Sequence, residues 1–104
     1  MTEEIFEKEV IAKRKPSVLV FGAEWSGNSE MMSSMMERVS KEFDSTVQFY
    51  KVDLESQTAI SKFFGVYTVP TTIMIKDGEV IEFIKGFIPA RKVREKIKQI
   101  YLEE

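Results

Sequence analysis

The amino-acid sequence predicts a single α/β domain, built on a central mixed four-stranded sheet with helices on both faces. Helical and strand-like patterns alternate along the chain, and a β-α-β crossover makes the first two strands parallel. Asp77 and Gly78 join two β-branched runs, which indicates an antiparallel hairpin. A length of 104 residues fits one domain over residues 1–104.

The first two predicted elements are a helix and a central strand. Residues 2–13 have Thr2 as a candidate N-cap and apolar residues at helical positions: Ile5, Phe6 and Val10. The residue before Pro16 avoids the helical region, so the helix ends there. Residues 17–21 are a nearly continuous apolar run, which is typical of a strand covered on both faces.

A second helix is expected from Ser29 to about Glu42, with Asn28 or Ser29 as its cap. Apolar residues recur there at helical spacing: Met32, Met35, Met36, Val39 and Phe43. Residues 47–52 alternate as a second strand, parallel to the first. Residues 58–64 then predict a short helix that ends at Gly65.

The last third of the chain predicts a hairpin and a closing helix. Residues 71–75 and 80–85 are the hairpin strands, and Gly86 ends the second of them. Pro89 marks a helix start, and the buried side of that helix is expected to be Val93, Ile97, Ile100 and Tyr101. The predicted order is therefore α-β-α-β-α-β-β-α.

The composition excludes most enzyme chemistries. The absence of Cys removes disulfides, thiolate nucleophiles and thiolate metal sites, and the absence of His removes the Ser-His relay. We therefore expect no metal and no cofactor. A net charge of -2 does not favour nucleic acid or an anionic membrane as partner. Because the sequence has neither a membrane-spanning apolar run nor an apolar signal core, we expect a soluble, cytoplasmic protein.

One segment links the first strand to the second helix: Phe21-Gly22-Ala23-Glu24-Trp25-Ser26-Gly27-Asn28-Ser29-Glu30. It closely resembles the active-site segment of the thioredoxin family, where Trp-Cys-Gly-Pro-Cys follows a Phe-x-Ala-x strand end. Further matches follow in family order: Lys51-Val52-Asp53, Phe64-Gly65-Val66-Tyr67-Thr68-Val69-Pro70-Thr71, Lys76-Asp77-Gly78-Glu79-Val80 and Gly86. The resemblance covers nearly the whole chain and implies a thioredoxin-like fold with a cis bond before Pro70.

Three departures from the family pattern bear on activity. Ser26 and Ser29 stand at the two cysteine positions and Asn28 at the proline. A Ser hydroxyl neither ionises near neutral pH nor forms a disulfide, so dithiol-disulfide exchange is impossible at this site. Val20 stands where the family usually buries a proton-relaying Asp. The family's N-terminal strand has no counterpart, which would leave residues 47–52 at a sheet edge.

The resemblance also implies a groove that contacts an extended peptide. Its contact residues would be Trp25, Tyr67, Val69, Pro70, Gly86 and Phe87, with Gly27 and Asn28 completing the motif. The Val69 backbone could pair with the peptide, and Ile88 could extend an apolar patch. The alternatives are a half-buried Trp25 that packs the turn and apolar side chains scattered over the surface.

Three further interpretations concern single groups of residues. Ser26 or Ser29 could act as a nucleophile only with a neighbouring base, and the sequence offers none at motif spacing. Capping of the following helix is therefore favoured, with a helix start that weakly favours an anion. The methionines Met31, Met32, Met35 and Met36 suit a soft-metal or adaptable binding face, but three of the four lie on the core side. A solvated helix face, rather than a nucleic-acid surface, is favoured for Arg91, Lys92, Arg94, Lys96 and Lys98.

Two functions are expected from these observations. The first is a redox-inactive domain that binds protein or extended peptide segments beside Trp25 and Pro70. The alternative is a Cys-to-Ser variant of an active protein-disulfide reductase that serves cell redox homeostasis. Val20 and Asn28 favour the first, because a Cys-to-Ser change leaves them unexplained. Pairing through the edge at residues 47–52 is a third possibility, and we expect a monomer or a weak dimer.

Overall fold

A computed structural model of the chain describes residues 1–102, and its helices and strands follow the predicted order. Helix α1 begins as an α-helical turn, Glu3–Ile5, and continues as a π-helical segment, Phe6–Ala12. The next elements are β1 (Ser17–Gly22), α2 (Gly27–Glu42), β2 (Gln48–Asp53), α3 (Thr58–Phe64), β3 (Thr71–Lys76) and β4 (Glu79–Lys85). Helix α4, Ala90–Ile97, is followed by the π-helical segment Lys98–Leu102.

The four strands lie in the order β2-β1-β3-β4, so β2 and β4 are the sheet edges among the described residues. Strand β1 is parallel to β2 and antiparallel to β3, and β3 and β4 form an antiparallel hairpin. Asp77 and Gly78 have φ values of 54° and 80°, as a two-residue hairpin turn with a left-handed backbone requires. The predicted α/β class with a mixed sheet is confirmed.

Two apolar cores cover the two faces of this sheet. Helices α2 and α4 pack on one face, where the buried residues include Val18, Val20, Met32, Met36, Met74 and Val93. Helices α1 and α3 cover the other face, where the buried residues include Phe6, Val10, Leu19, Phe21, Ile60 and Ile73. Because β1 is buried on both faces, its near-continuous apolar run is explained.

Some predicted details of the elements are wrong. Helix α2 begins at Gly27, two residues before Ser29, and its cap is Ser26 rather than Asn28 or Ser29. Ile5 is 41% exposed, because it lies about 100° around the helix from Phe6, which faces the core with Val10.

None of the helices within residues 1–102 combines the length and the apolar character that a membrane crossing requires.

Candidate functional site

The sheet register brings the predicted site segments to one end of the sheet. Phe21 in β1 lies opposite Thr71 in β3, and Thr71 lies opposite Lys85 in β4. The chain leaves this row directly into three segments: the turn with Trp25, the loop that ends at Pro70, and Gly86. These segments are far apart in sequence, and only the strand pairing makes them neighbours.

The turn between β1 and α2 holds Trp25 at the surface. The Ser26 N–H donates to the Ala23 C=O at 3.1 Å, and the Leu54 N–H donates to the Gly22 C=O at 2.9 Å. These bonds secure the backbone on both sides of Trp25, whose side chain is 69% exposed. The indole therefore contributes little to the core of the domain and presents most of its surface to solvent.

Ser26 has a structural role as the cap of α2. Its backbone is extended, with φ of -104° and ψ of 113°, and its Oγ accepts a hydrogen bond from the Ser29 N–H at 3.2 Å. This bond satisfies one of the backbone donors that are left without partners in the first helical turn. Among the described residues, no carboxylate is hydrogen-bonded to this hydroxyl, so the geometry supports capping rather than nucleophilic chemistry.

Ser29 is buried, and its hydroxyl has no hydrogen-bond partner within the described part of the chain. It borders a cavity of about 90 Å³, and the other residues that line this cavity include Glu24, Glu30, Ser33, Lys51 and Asp53. A Cβ placed on Gly22 would lie 3.2 Å from the Ser29 Cβ. A glycine at this point therefore permits the close approach of β1 to the start of α2.

The loop before β3 is joined to the end of β4. The Val69–Pro70 peptide bond is cis, Pro70 is buried, and the Pro70 C=O accepts a hydrogen bond from the Gly86 N–H at 2.8 Å. The Thr71 hydroxyl donates to the Thr68 C=O at 2.8 Å. Two of the predicted contact residues, Pro70 and Gly86, are thus in direct contact.

The aromatic residues around this end differ in their surroundings. Tyr67 is 78% exposed, and no hydrogen bond among residues 1–102 connects Tyr67 or Trp25 with Pro70. Phe87 is partly exposed and lies against α2, where it lines a groove with Met31 and Met35. Ile88 is partly buried and packs against the core under α2 and α4.

The groove between α2 and Phe87 was only partly anticipated from the sequence. The buried Met32, Met35 and Met36 confirm that three of the four methionines belong to the core, whereas Met31 is 59% exposed. Its position off the apolar side of α2 was the available signal. Glu30 and Arg38, which also line the groove, were missed because its other wall comes from a distant part of the chain.

The ionisable groups with shifted pKa values lie outside the Trp25 segment. Burial raises the pKa of Tyr101, and a hydrogen bond from Arg94 lowers the pKa of Glu42. Within residues 1–102, no group of three Asp or Glu side chains is placed to hold a metal ion. The exposed aromatic side chains and the Pro70–Gly86 backbone hydrogen bond are the features that the structure brings to this end of the sheet.

Comparisons with known proteins agree with this architecture. The thioredoxin family model matches residues 1–99. The chain is 30% identical to a thioredoxin of Haemophilus influenzae over 90% of this chain and 88% of that protein. It is 30% identical to a thioredoxin of Rickettsia bellii over 76% of this chain and 75% of that protein. A solved mutant thioredoxin from Halobacterium salinarum superposes with a TM-score of 0.78 and 26% identity, covering 86% of this chain and 77% of that one.

Proposed function

Because this chain belongs to the thioredoxin family, we propose that it is a redox-inactive member that binds extended segments of partner proteins beside Trp25 and Pro70. The observation that carries the proposal is the sheet register. It gathers the Trp25 turn, the Pro70 loop and Gly86 at one end of a chain that contains no cysteine. A contact surface is retained where the reactive groups are absent.

Two-electron exchange needs a thiolate to attack a disulfide, and a second sulfur to complete the exchange. The hydroxyls of Ser26 and Ser29 supply neither, and the chain has no Cys elsewhere. In this structure the two serines serve the helix start or are buried beneath it. Binding without turnover is the activity that these residues support.

Exposed aromatic side chains and free backbone groups supply the binding surface. Trp25 and Tyr67 present large aromatic surfaces of the type enriched in contact hot spots. Val69 precedes β3, and none of the loop hydrogen bonds among residues 1–102 uses its N–H or C=O. An extended partner can therefore pair with the Val69 backbone, as in β-strand addition, while its side chains contact the aromatic residues.

Val20 favours this function over a Cys-to-Ser variant of an active disulfide reductase. It is buried in the core formed with α2 and α4, where its neighbours in the cluster are apolar. A valine suits that environment. A variant made only by replacing two cysteines with serine would keep the family's aspartate at this position, so it does not explain Val20. The same reasoning applies to Asn28, which is exposed in the first turn of α2.

The proposed partners are protein or extended peptide segments, with no cofactor required. A net charge of -2 gives no electrostatic attraction to nucleic acid or to an anionic membrane. We place the function in the cytoplasm, with the chain acting as a monomer or a weak dimer.

The test is a titration of the ¹⁵N-labelled protein with synthetic nine-residue peptides that alternate apolar and polar residues. We expect amide shifts at Val69, Gly86 and Phe87 and a shift of the Trp25 indole. Trp25→Ala should weaken binding about tenfold, because truncation of a central aromatic contact typically costs about 1.4 kcal/mol or more. NMR line positions and dissociation constants are the measured quantities.

A control is Ile5→Ala, which removes an exposed apolar side chain from α1, away from the proposed groove. This variant should bind the peptides as the unaltered protein does. Equal binding by the Trp25→Ala variant, or shifts confined to another surface, would contradict the proposed groove.

A further inference from the structure

The groove between α2 and Phe87 carries an opposite charge at each end. Glu30, Ser34 and Arg38 recur every four residues and so follow one side of α2. Met31 and Met35 lie beside them, and Phe87 forms the other wall of a groove of about 420 Å³. The order along the helix is therefore a carboxylate, an apolar middle and a guanidinium.

The two charges are available to a ligand. Neither Glu30 nor Arg38 forms an ion pair within the described residues, although other charged side chains do so. Eight residues of helix separate them, which corresponds to about 12 Å along the axis. At that distance the two charges do not neutralise each other in water.

The middle of the groove is apolar and open to solvent. Met31 is 59% exposed and Phe87 is 43% exposed, whereas the other three methionines of α2 are buried. Methionine is flexible and polarizable, so this wall suits apolar side chains of different shape. The groove begins at Glu30, in the same first turn of α2 that follows the Trp25 segment.

We propose that this groove is a specificity subsite for an extended protein segment with a basic, an apolar and an acidic residue at alternate positions. The inference rests on the proposed function, because the subsite adjoins the Trp25 surface. In an extended chain, alternate side chains point the same way, and four residues span about 13 Å. That span matches the roughly 12 Å between the helix positions of Glu30 and Arg38.

The charge pattern selects this occupant over other macromolecules. The carboxylate of Glu30 repels phosphate groups of nucleic acids and anionic lipids, while Arg38 repels a uniformly basic segment. A segment that carries both signs, separated by one apolar residue, satisfies both ends of the groove. The complementarity sets which segment binds, and the contacts at Trp25 supply much of the affinity.

The test uses the full chain and three synthetic nine-residue peptides that differ only at two positions around a central leucine. The core sequences are Lys-Thr-Leu-Thr-Glu, Lys-Thr-Leu-Thr-Lys and Glu-Thr-Leu-Thr-Glu. The fluorescence of Trp25, the one tryptophan in the chain, reports binding at low ionic strength. The Trp25→Ala variant lacks this fluorophore, so its binding is measured by the ¹⁵N titration. We expect the mixed-charge peptide to bind about fivefold more tightly than either like-charged peptide.

Single charge reversals should change the preferred peptide in opposite directions. Arg38→Glu gives the groove two negative ends, so the Lys/Lys peptide should become the tightest ligand. Glu30→Lys gives two positive ends, so the Glu/Glu peptide should become the tightest ligand. Lys41→Glu is the matched control: it changes the net charge as Arg38→Glu does, but Lys41 does not line the groove. It should keep the preference of the unaltered protein.

The possible outcomes separate this inference from the proposed function. Equal affinities for the three peptides, with binding still weakened by Trp25→Ala, would overturn the subsite and leave the peptide groove in place. The subsite would also be overturned if Lys41→Glu changed the preferred peptide as Arg38→Glu does. Binding of none of the peptides, or binding unaffected by Trp25→Ala, would overturn both. Circular dichroism of each variant checks that the chain is folded.

Discussion

At Ser26 and Ser29 the same side chain occupies two different environments. The Ser26 hydroxyl accepts a hydrogen bond from the first turn of α2, whereas the buried Ser29 hydroxyl has no partner among residues 1–102. A cap stabilises a helix, but burial of a hydroxyl without a hydrogen bond costs free energy. The two serines therefore affect the free energy of unfolding with opposite sign, although the resemblance to the family places both at its cysteine positions.

Alanine substitution should separate these two contributions. Ser26→Ala should lower the free energy of unfolding by about 1 kcal/mol, because it removes the cap. Ser29→Ala should leave that free energy unchanged or raise it, because a buried hydroxyl without a partner is removed. Urea denaturation followed by circular dichroism gives both values. A loss for Ser29→Ala as large as that for Ser26→Ala would mean that the Ser29 hydroxyl has a stabilising partner.

Single residues were predictable from the sequence where the determining interaction is local. A polar cap at the start of α2 and the core positions of the α2 methionines were predicted from residue type and spacing, although the cap is Ser26 rather than Asn28 or Ser29. The groove residues Glu30 and Arg38 were missed, since the facing wall is Phe87, which is distant in sequence. A pattern within one helix does not show which exposed positions face a neighbouring loop.

At the scale of elements, strands and the hairpin were predicted closely, but helix geometry was not. The Asp77-Gly78 turn and the β-branched runs carry their signals within a few residues. In the π-helical part of α1, in contrast, the Lys13 N–H donates a hydrogen bond to the Lys8 C=O, five residues earlier, at 3.2 Å. Phe6 and Val10 of this segment are buried in the core, and their spacing does not distinguish an α-helix from a π-helix.

Alanine substitution should have opposite effects on stability at a glycine in the hairpin turn and at a glycine in the first turn of α2. Gly78 has φ of 80°, and a Cβ there would lie 3.0 Å from the Arg14 Nε, so Gly78→Ala should cost about 1 kcal/mol or more. Gly27 lies in the first turn of α2, and a Cβ there would meet nothing within 4 Å. Gly27→Ala should therefore stabilise the protein by about 0.5 kcal/mol.

Chemical denaturation of both glycine variants, compared with the unaltered protein, measures these changes. Changes of the same sign would contradict the assignment of Gly78 to a left-handed turn and Gly27 to a helix. Equal m-values would show that the comparison concerns the folded state rather than the compactness of the unfolded chain.

For the whole molecule, the crossover and the hairpin were predicted from the sequence, whereas the strand order, which the β1–β3 pairing sets, was not. The crossover through α2 makes β1 and β2 parallel, and the short turn makes β3 and β4 antiparallel. The pairing of β1 with β3 then completes the sheet. The position of the site followed from the family resemblance, since periodicity gives no information on which loops meet at one end of a sheet.

The pH range of stability is also a property of the whole chain, because it lacks both His and Cys. A hydrogen bond from Arg94 lowers the pKa of Glu42, and one from Lys15 lowers the pKa of Glu9. These pairs stabilise the folded state above the usual carboxyl pKa of 4.5, and their contribution is lost as the pH falls through the lowered values. The Arg94–Glu42 pair is exposed and Glu9 is only partly buried, so this loss in acid should be shallow and reduced by salt.

The alkaline limit of stability should depend on Tyr101. Its hydroxyl lies 2.9 Å from the Ile75 C=O and 3.1 Å from the Ser17 C=O, which attaches the C-terminal π-helical segment to β3 and β1. Burial raises its pKa above the usual 10, so the folded state holds this proton more tightly than the unfolded chain does. The contribution is complete below about pH 10 and is lost as the pH rises above that value.

Tyr101→Phe should lower the free energy of unfolding by about 1 kcal/mol at pH 7, because it removes the hydroxyl's hydrogen bond to the strand backbone. It should also make the decline of stability above about pH 10 shallower than in the unaltered protein. Urea denaturation at a series of pH values measures both effects. If the variant keeps the full alkaline slope, the decline belongs to another group, such as Tyr50, whose pKa is also raised by burial. The attachment of the C-terminal segment would then be independent of the alkaline limit.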